Sequence, residues 1–329
     1  MIISRTPLRM SFVGGGSDMI DYYRESPGMV VSTAVNKFIY VTVNKKFDNG
    51  IRVAYSKNEE VVSVGDLDHK LVRAALNLLQ IDGGVEITTV ADIPSRGTGL
   101  GSSSTFTVAL LHALRAFQGR NSSSAQLAEA ACHIEIDVCG EPIGKQDQYA
   151  AAFGGFNTIE FFPDETVKVT PLVVQPETVG TLEDNLLMLY TGITRSASDL
   201  LQKQGEGVRS DISKRQALDR MVSFCGDFRS ALERGSPDEV GPILHENWLL
   251  KKTLAQGVSS SAIDDWYQAA LRAGATGGKI LGAGAGGFLV FYAPSEHHER
   301  ICHALPQLRP IPFQFERFGS QIIFFNPTK

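Results

Sequence analysis

A glycine-rich run at residues 94–105, PSRGTGLGSSST, has the residue types of an anion-binding loop. Glycines allow positive φ and close backbone approach to a ligand, and the N–H groups and dipole at a helix start favour phosphate. Residues 85–90 alternate like a β-strand, and residues 106–117 carry apolar residues at helical spacing. The pattern therefore predicts a phosphate loop at a strand-to-helix junction, the alternative being a plain helix cap. Ser102 follows Gly101 where a Walker loop has lysine, which excludes a P-loop.

Two further glycine runs lie near the ends of the chain. Residues 6–18, TPLRMSFVGGGSD, place an arginine and a carboxylate on either side of a triple glycine; alone, this pattern is also typical of a hairpin corner. Residues 279–288, KILGAGAGGF, contain the letters of a dinucleotide fingerprint. That fingerprint should open a helix, whereas residues 288–292, FLVFY, predict a strand. The context argues against an oxidoreductase, which a comparison of ATP and NAD binding would test.

The composition indicates a globular protein with room for two domains: 329 residues, 43% hydrophobic and 20% charged. The net charge of −5 gives no basic footprint for nucleic acid. The apolar runs are too short for a membrane span and the first residues lack a signal-peptide pattern, so we expect a cytoplasmic protein with no membrane partner. Four cysteines without a CxxC pair, and seven histidines without matching spacing, give no zinc site.

Strand patterns dominate the first 90 residues, and Asp48-Asn49-Gly50 is a hairpin signal. A capping box at Ser123 to Gln126 opens a predicted helix that continues toward Cys139. Residues 163–180 contain three prolines and show little periodicity, which predicts a domain boundary near residue 180 and hence domains 1–180 and 181–329. The other expected helices cover residues 102–117, 145–152, 196–204, 211–233, 236–256 and 259–273, and the later strands cover 156–162, 186–190, 287–292 and the end of the chain. This order predicts two α+β domains.

Together, the three glycine runs resemble, in order and over the whole length, the motifs of the GHMP small-molecule kinases. Residues 5–9, 14–18, 96–104 and 144–149 are most similar to the branch of D-glycero-D-manno-heptose 7-phosphate kinases. Pro94 stands one residue further from Gly99 than in many members, which affects loop shape more than chemistry. The resemblance implies an N-terminal domain like domain 2 of ribosomal protein S5 and a ferredoxin-like C-terminal domain, both α+β.

The resemblance also implies site residues. Asp147 resembles the catalytic aspartate, with Arg9 as the partner that favours its charged form. Mg²⁺ would be held by the Ser103 hydroxyl and the Glu135 carboxylate, hard oxygen ligands that suit this ion. The residues expected to hold the ATP phosphates are Gly97, Thr98, Gly99, Leu100, Gly101, Ser102, Ser103 and Ser104.

The acceptor is expected to be a small-molecule sugar phosphate, which needs a cationic pocket away from the reacting hydroxyl. The predicted substrate residues are Gly15, Gly16, Ser17, Asp18, Lys145, Arg195, Lys279 and Gly284. By resemblance the reaction is ATP-dependent phosphorylation of the C1 hydroxyl of a heptose 7-phosphate. The open alternatives are another GHMP acceptor and a non-catalytic sensor of sugar and nucleotide. The sequence leaves the oligomeric state open, and also whether Asp147 acts as a base or by orientation and electrostatics.

Overall fold

Two β-sheets carry the loops that meet at the predicted site. The computed structural model describes residues 1–93, 97, 99–194 and 198–326. Within these residues, nine strands form the first sheet: β1 (Ile2–Val13), β2 (Gly28–Lys45), β3 (Ile51–Ala54), β4 (Asn58–Val61), β5 (Val85–Ala91), β6 (Phe156–Phe161), β7 (Val167–Pro171), β12 (Phe315–Glu316) and β13 (Gln321–Phe325). Its main path runs β13-β1-β2-β5-β3-β4, with β6 and β12 also paired to β2. The last two strands of the chain thus return to the sheet that the first residues build.

The second sheet is antiparallel, in the order β11-β8-β10-β9. Its strands are β8 (Leu186–Tyr190), β9 (Gly277–Ile280), β10 (Phe288–Tyr292) and β11 (Arg309–Pro310). The strands predicted at 186–190 and 287–292 are confirmed and are direct neighbours. As expected, the glycine run that precedes β10 leads into a strand and opens no helix.

Helices cover both sheets and carry much of the site. They are α1 (Ile20–Tyr23), α2 (Lys70–Leu78), α3 (Ser102–Phe117), α4 (Ser124–Cys132), α5 (Gln146–Phe153), α6 (Pro176–Asp184), α7 (Ser198–Ser210), α8 (Ile212–Glu233), α9 (Val240–Leu254), α10 (Ser261–Arg272) and α11 (His298–Ala304). The predicted bounds of α3 are confirmed, as is the capping box, in which Ser123 and Gln126 bond each other's backbone N–H groups. Among the helices that the structure describes, none combines the length and the hydrophobicity that a transmembrane segment requires.

The hairpin predicted at residues 48–50 is wrong. The turn forms, with the Gly50 N–H donating to Asp48 Oδ1 at 2.8 Å, but β5 lies between β2 and β3. β5 pairs antiparallel with β2 and parallel with β3. Val85 and Ile87 of β5 are fully buried, and a central position covers them better than an edge would.

The two halves of the chain share a hydrophobic core. The ring of Phe12 on β1 lies 5.0 Å from that of Phe228 on α8 and 5.5 Å from that of Phe156 on β6, measured between centroids. All three belong to, or pack against, one continuous cluster of buried residues that also includes Phe288 of β10. This packing fixes the first sheet against the second-half helices that border the site.

Candidate active site

One cavity of about 580 Å³ collects residues from all three glycine runs. A cavity of this size suits small molecules. The predicted residues that line it are Arg9, Gly15, Gly16, Asp18, Gly97, Gly99, Gly101, Ser102, Ser103, Ser104, Asp147 and Lys279. Thr98 and Arg195 lie outside the described residues. Motifs more than 250 residues apart in sequence therefore meet at one place.

Arg9 and Asp147 form a partly buried ion pair in this cavity. Arg9 Nε and Nη2 lie 2.8 and 2.6 Å from Asp147 Oδ1, while Arg9 Nη1 donates to the Gly99 carbonyl at 2.6 Å. Arg9 is 3% exposed and Asp147 25%. A Cβ built on Gly101 would lie 3.2 Å from Asp147 Oδ2, which places that oxygen beside the start of α3. One guanidinium therefore ties the carboxylate to the glycine loop before α3.

The loop before α3 has the geometry expected of a phosphate site. Gly99 and Gly101 have φ of +79° and +75°, values in the left-handed region that favours glycine. The first bond of α3 runs from the Thr105 N–H to the Gly101 carbonyl, so the Ser103 and Ser104 N–H groups have no acceptor within the helix. Leu100, by contrast, is fully buried and lies outside the cavity lining, and its carbonyl accepts from the Arg9 N–H at 3.2 Å.

The C-terminal glycine run packs directly on this loop. A Cβ on Gly99 would lie 2.1 Å from the Leu281 carbonyl oxygen, and one on Gly282 would lie 2.6 Å from Gly99 Cα. Gly282 and Ala283 line the cavity. Gly284 instead lies against the backbone of Val258, outside the lining. The glycines at 99 and 282 are therefore needed for contact between two loops as well as for ligand approach.

Glu135 is fully buried, in a π-helical segment (His133–Val138) that follows α4. It accepts hydrogen bonds from Ser103 Oγ at 2.9 Å and from Gln148 Nε2 at 2.6 Å. Burial raises the pKa of Glu135 to about 7, and the charge of Asp147 acts in the same direction, while bonds from Ser104, Gln148 and Ser103 oppose it.

The donors around Glu135 are neutral, and in the described part of the chain this carboxylate has no ion pair. A buried carboxylate beside a hydroxyl, without a protein cation, fits a bound divalent ion. The predicted metal ligands Ser103 and Glu135 are therefore brought together.

Asp18 is held rigidly by the first glycine run and the start of α5. Gly16 N–H and Gln146 Nε2 donate to its Oδ1 at 2.9 and 3.1 Å. A Cβ on Gly144 would lie 2.0 Å from Asp18 Oδ2, so position 144 has no room for a side chain. Burial, and then the charge of Asp147, raise the pKa of Asp18. Ser17 lies outside the cavity lining, and its hydroxyl bonds the Gly14 carbonyl at 2.8 Å.

Of the predicted lysines, Lys279 faces the cavity and Lys145 does not. Lys279 Nζ donates to the Ser11 and Phe12 carbonyls at 2.9 and 2.8 Å, and burial lowers its pKa to about 7. Lys145 Nζ pairs with Glu165 and lies 4.9 Å from the centre of the Tyr23 ring. The Lys145 ammonium therefore lies outside the site that the other predicted residues form.

Sequence analysis missed a second buried lysine, Lys251 on α9, which also lines the cavity. Its Nζ donates to Gln204 Oε1 at 2.9 Å and to the Gly15 carbonyl at 3.2 Å. Burial lowers the pKa of Lys251 to about 8. A signal was present, because Lys251 shares the apolar stripe of its helix with Leu244 and Trp248, an unusual place for a lysine.

Comparison with known proteins identifies a family whose models match both halves of this chain. The model of the GHMP kinases N terminal domain matches residues 69–155, and that of the GHMP kinases C terminal matches residues 228–309. A D-glycero-alpha-D-manno-heptose 7-phosphate kinase of Campylobacter jejuni is 30% identical over 92% of this chain and 93% of its own length.

Solved structures give the same result. The crystal structure of a D-glycero-D-manno-heptose 1-phosphate kinase from Bacteroides thetaiotaomicron superposes with a TM-score of 0.82, at 28% identity, over 99% of this chain and 100% of that one. Lactococcus lactis galactokinase in complex with galactose, 16% identical, superposes with a TM-score of 0.75 over 97% of this chain and 94% of its own, and shows the shared fold.

Proposed function

The chain belongs to the GHMP kinases, which are small-molecule phosphotransferases, and we propose that it transfers phosphate from ATP to the C1 hydroxyl of D-glycero-D-manno-heptose 7-phosphate. The product would be the 1,7-bisphosphate, for nucleotide-activated heptose and surface polysaccharide synthesis. The observation that carries the proposal is the Arg9–Asp147 pair, which sits between the start of α3 and a cavity that also contains the first glycine run.

Phosphoryl transfer asks the protein to position its reactants and to stabilise charge on the transferring group. The loop that ends at Gly101 and the start of α3 would hold the ATP phosphates. Ser103 and Glu135 would hold Mg²⁺, which when bound neutralises charge on the phosphate oxygens. Arg9, already bonded to the loop through the Gly99 carbonyl, keeps Asp147 beside the place where the phosphates lie.

Asp147 would act on the acceptor hydroxyl. Both bonds from Arg9 end on Oδ1, so Oδ2 can accept the hydroxyl proton or orient the hydroxyl without losing the ion pair. An anomeric hydroxyl is more acidic than an ordinary alcohol, so it needs less help from a base. Asp18, fixed by Gly16 and Gln146, would bind sugar hydroxyls on the opposite side of the acceptor.

A heptose carrying phosphate is favoured over other acceptors by two observations. Both the curated relative and the crystallised one at 28–30% identity are named for heptose phosphates, although their names place the phosphate at different carbons. The cavity also contains a buried lysine, Lys279, whose ammonium donates to the Ser11 and Phe12 carbonyls. A non-catalytic sensor remains the alternative from another class; it would not need Arg9, Ser103, Glu135 and Asp147 in working geometry.

The test measures ADP release with Mg-ATP and a panel of acceptors: D-glycero-D-manno-heptose 7-phosphate, the corresponding 1-phosphate, free heptose, mannose 6-phosphate, galactose and mevalonate. We expect turnover of the 7-phosphate to dominate, and Asp147→Asn to lower kcat by about 10²- to 10⁴-fold, the usual contribution of a positioned acid or base. Unchanged melting temperature and ATP-analogue affinity in Asp147→Asn would show that the fold is intact. ATP binding without turnover of any acceptor would overturn the proposal in favour of the sensor.

A further inference from the structure

Lys251 and Lys279 place two buried ammonium groups at one cavity without a bonded anion. Their hydrogen-bond acceptors are neutral: the Gly15 carbonyl and Gln204 for Lys251, and two β1 carbonyls for Lys279. In the described chain neither lysine has a carboxylate within ion-pair distance, and Arg9 is already paired with Asp147. The negative charge that acts on Lys251 is that of the buried Asp18, which opposes the lowering of the Lys251 pKa by burial but forms no direct bond with its ammonium. Buried charges are normally paired, so this arrangement calls for an external anion.

A buried hydrogen-bond donor without a partner lies beside Lys251. Gln204 of α7 is fully buried; its Oε1 accepts from Lys251, and its Nε2 has no partner among the described residues. A Cβ on Gly16 would lie 2.2 Å from this Nε2 and 3.5 Å from Lys251 Nζ. The φ of +110° at Gly16 favours glycine, and a side chain there would also displace the Gln204 amide from its place beside the ammonium. An unsatisfied buried amide is costly unless a ligand completes it.

The location separates this cluster from the nucleotide loop. Lys251 contacts the first glycine run through Gly15, whereas the loop before α3 contacts Arg9 and residues 281–282. Lys279 donates to two carbonyls of β1, the strand that also carries Arg9, and it lines the same cavity as Lys251. The cationic cluster thus extends from the reaction centre toward the acceptor side.

We propose that Lys251, oriented by Gln204 and assisted by Lys279, binds the phosphate that the acceptor sugar already carries. The inference rests on the proposed function, since it assigns the acceptor's phosphate a place in the same cavity. Two ammonium groups match a phosphate dianion better than a carboxylate, which carries one charge. Lys251 is in this role a specificity residue, and Gln204 is a positioning residue.

The experiment measures binding by calorimetry with Mg and a non-hydrolysable ATP analogue saturating the nucleotide site. The probes are heptose 7-phosphate and free heptose, with wild type, Lys251→Met, Lys251→Arg and Lys252→Met. Lys252 is the matched control, because it is the next residue of α9 and its ammonium pairs with Asp264 at 3.1 Å. We expect Lys251→Met to weaken binding of the phosphorylated sugar about 10- to 100-fold, the usual effect of losing a charge-assisted hydrogen bond, and binding of free heptose less than threefold. Lys251→Arg should keep part of the preference and Lys252→Met all of it.

Equal weakening of both sugars in Lys251→Met would overturn the proposal, because it would show a merely structural lysine. Equal affinity of wild type for the two sugars would overturn it as well. If Lys251→Met fails to fold, Gln204→Glu gives the same test: it keeps a partner for Lys251 but adds a negative charge, which should abolish the preference for the phosphorylated sugar. Tight binding of heptose 7-phosphate without turnover would contradict the proposed function and leave this subsite standing.

Discussion

At the scale of single residues, the chemistry of the site depends on carboxylates in different surroundings. Asp147 is paired with Arg9, whereas Glu135 has only neutral donors around it. Burial raises the pKa of Glu135 from its ordinary 4.5 to about 7. Between these values the folded protein holds a proton that the unfolded chain has released. In metal-free protein this group therefore contributes less to stability as pH rises across that window.

Metal binding should show the same titration, because Mg²⁺ needs the ionised carboxylate and competes with the proton. We expect the Mg²⁺ concentration for half-maximal activity to rise as pH falls below about 7. Glu135→Gln, of the same size, should raise that concentration and flatten its pH dependence. Activity measured over a grid of Mg²⁺ and pH checks this, with total ATP saturating. An unaltered pH dependence in Glu135→Gln would contradict a metal role for this residue.

Most of the roles proposed at this scale come from motif resemblance, and two features of the site matched no motif or departed from one. Lys251 and Gln204 lie on helices whose local pattern matches no motif, and only the packing of α7 and α9 around Gly16 brings them together. Lys145 lies within a matched motif, yet Glu165 on a distant turn draws its ammonium away. Long side chains can pair with residues far away in sequence, and these partners cannot be identified from the neighbouring sequence.

At the scale of elements, the contact between the two glycine loops should decide whether the loop before α3, proposed to hold the ATP phosphates, keeps its shape. Gly119 is a natural control for Gly99. Their φ angles are +71° and +79°, but a Cβ on Gly119 meets nothing within 4 Å, whereas one on Gly99 lies 2.1 Å from the Leu281 carbonyl. The backbone strain of alanine is therefore similar at both positions, and only Gly99→Ala adds a clash.

We expect Gly119→Ala to cost about 1 kcal/mol from its left-handed conformation alone. Gly99→Ala should cost about 1–3 kcal/mol more, through overpacking, and should raise the KM for ATP about tenfold or more by moving the loop. Urea unfolding and steady-state kinetics of the two variants give both quantities. Equal effects of the two substitutions would mean that the loops do not constrain each other.

Element bounds were largely predictable because periodicity and caps are local. Ser102 begins a helix after Gly101, and Ser123 and Gln126 form the capping box that their spacing predicts. The π-helical turn that carries Glu135 was not predictable, since it needs one residue more than an α-turn and no residue type marks it. The hairpin error at Gly50 has another cause: a turn signal fixes chain reversal, but burial of β5 decides which strand lies next to β2.

At the scale of the whole molecule, the order of the three glycine motifs along the chain was enough to predict the family. The contacts between segments far apart in sequence could not be predicted. Arg5 of β1 donates to Gln321 of β13 at 2.8 Å across 316 residues, and no pattern in either segment names the other. Likewise, Phe12 and Phe228 meet because α8 folds back on the first sheet. The site depends on these long-range contacts, because the three glycine runs that line it come from distant parts of the chain.

The central claim is that the protein transfers phosphate to the anomeric hydroxyl of a sugar that already carries a phosphate group. Phosphorus and proton NMR of the product formed from Mg-ATP and D-glycero-D-manno-heptose 7-phosphate tests it most directly. The account predicts one new phosphate ester signal coupled to the anomeric proton, with the 7-phosphate signal retained. A new phosphate on another carbon, or transfer to a different acceptor while heptose 7-phosphate stays unchanged, would contradict it.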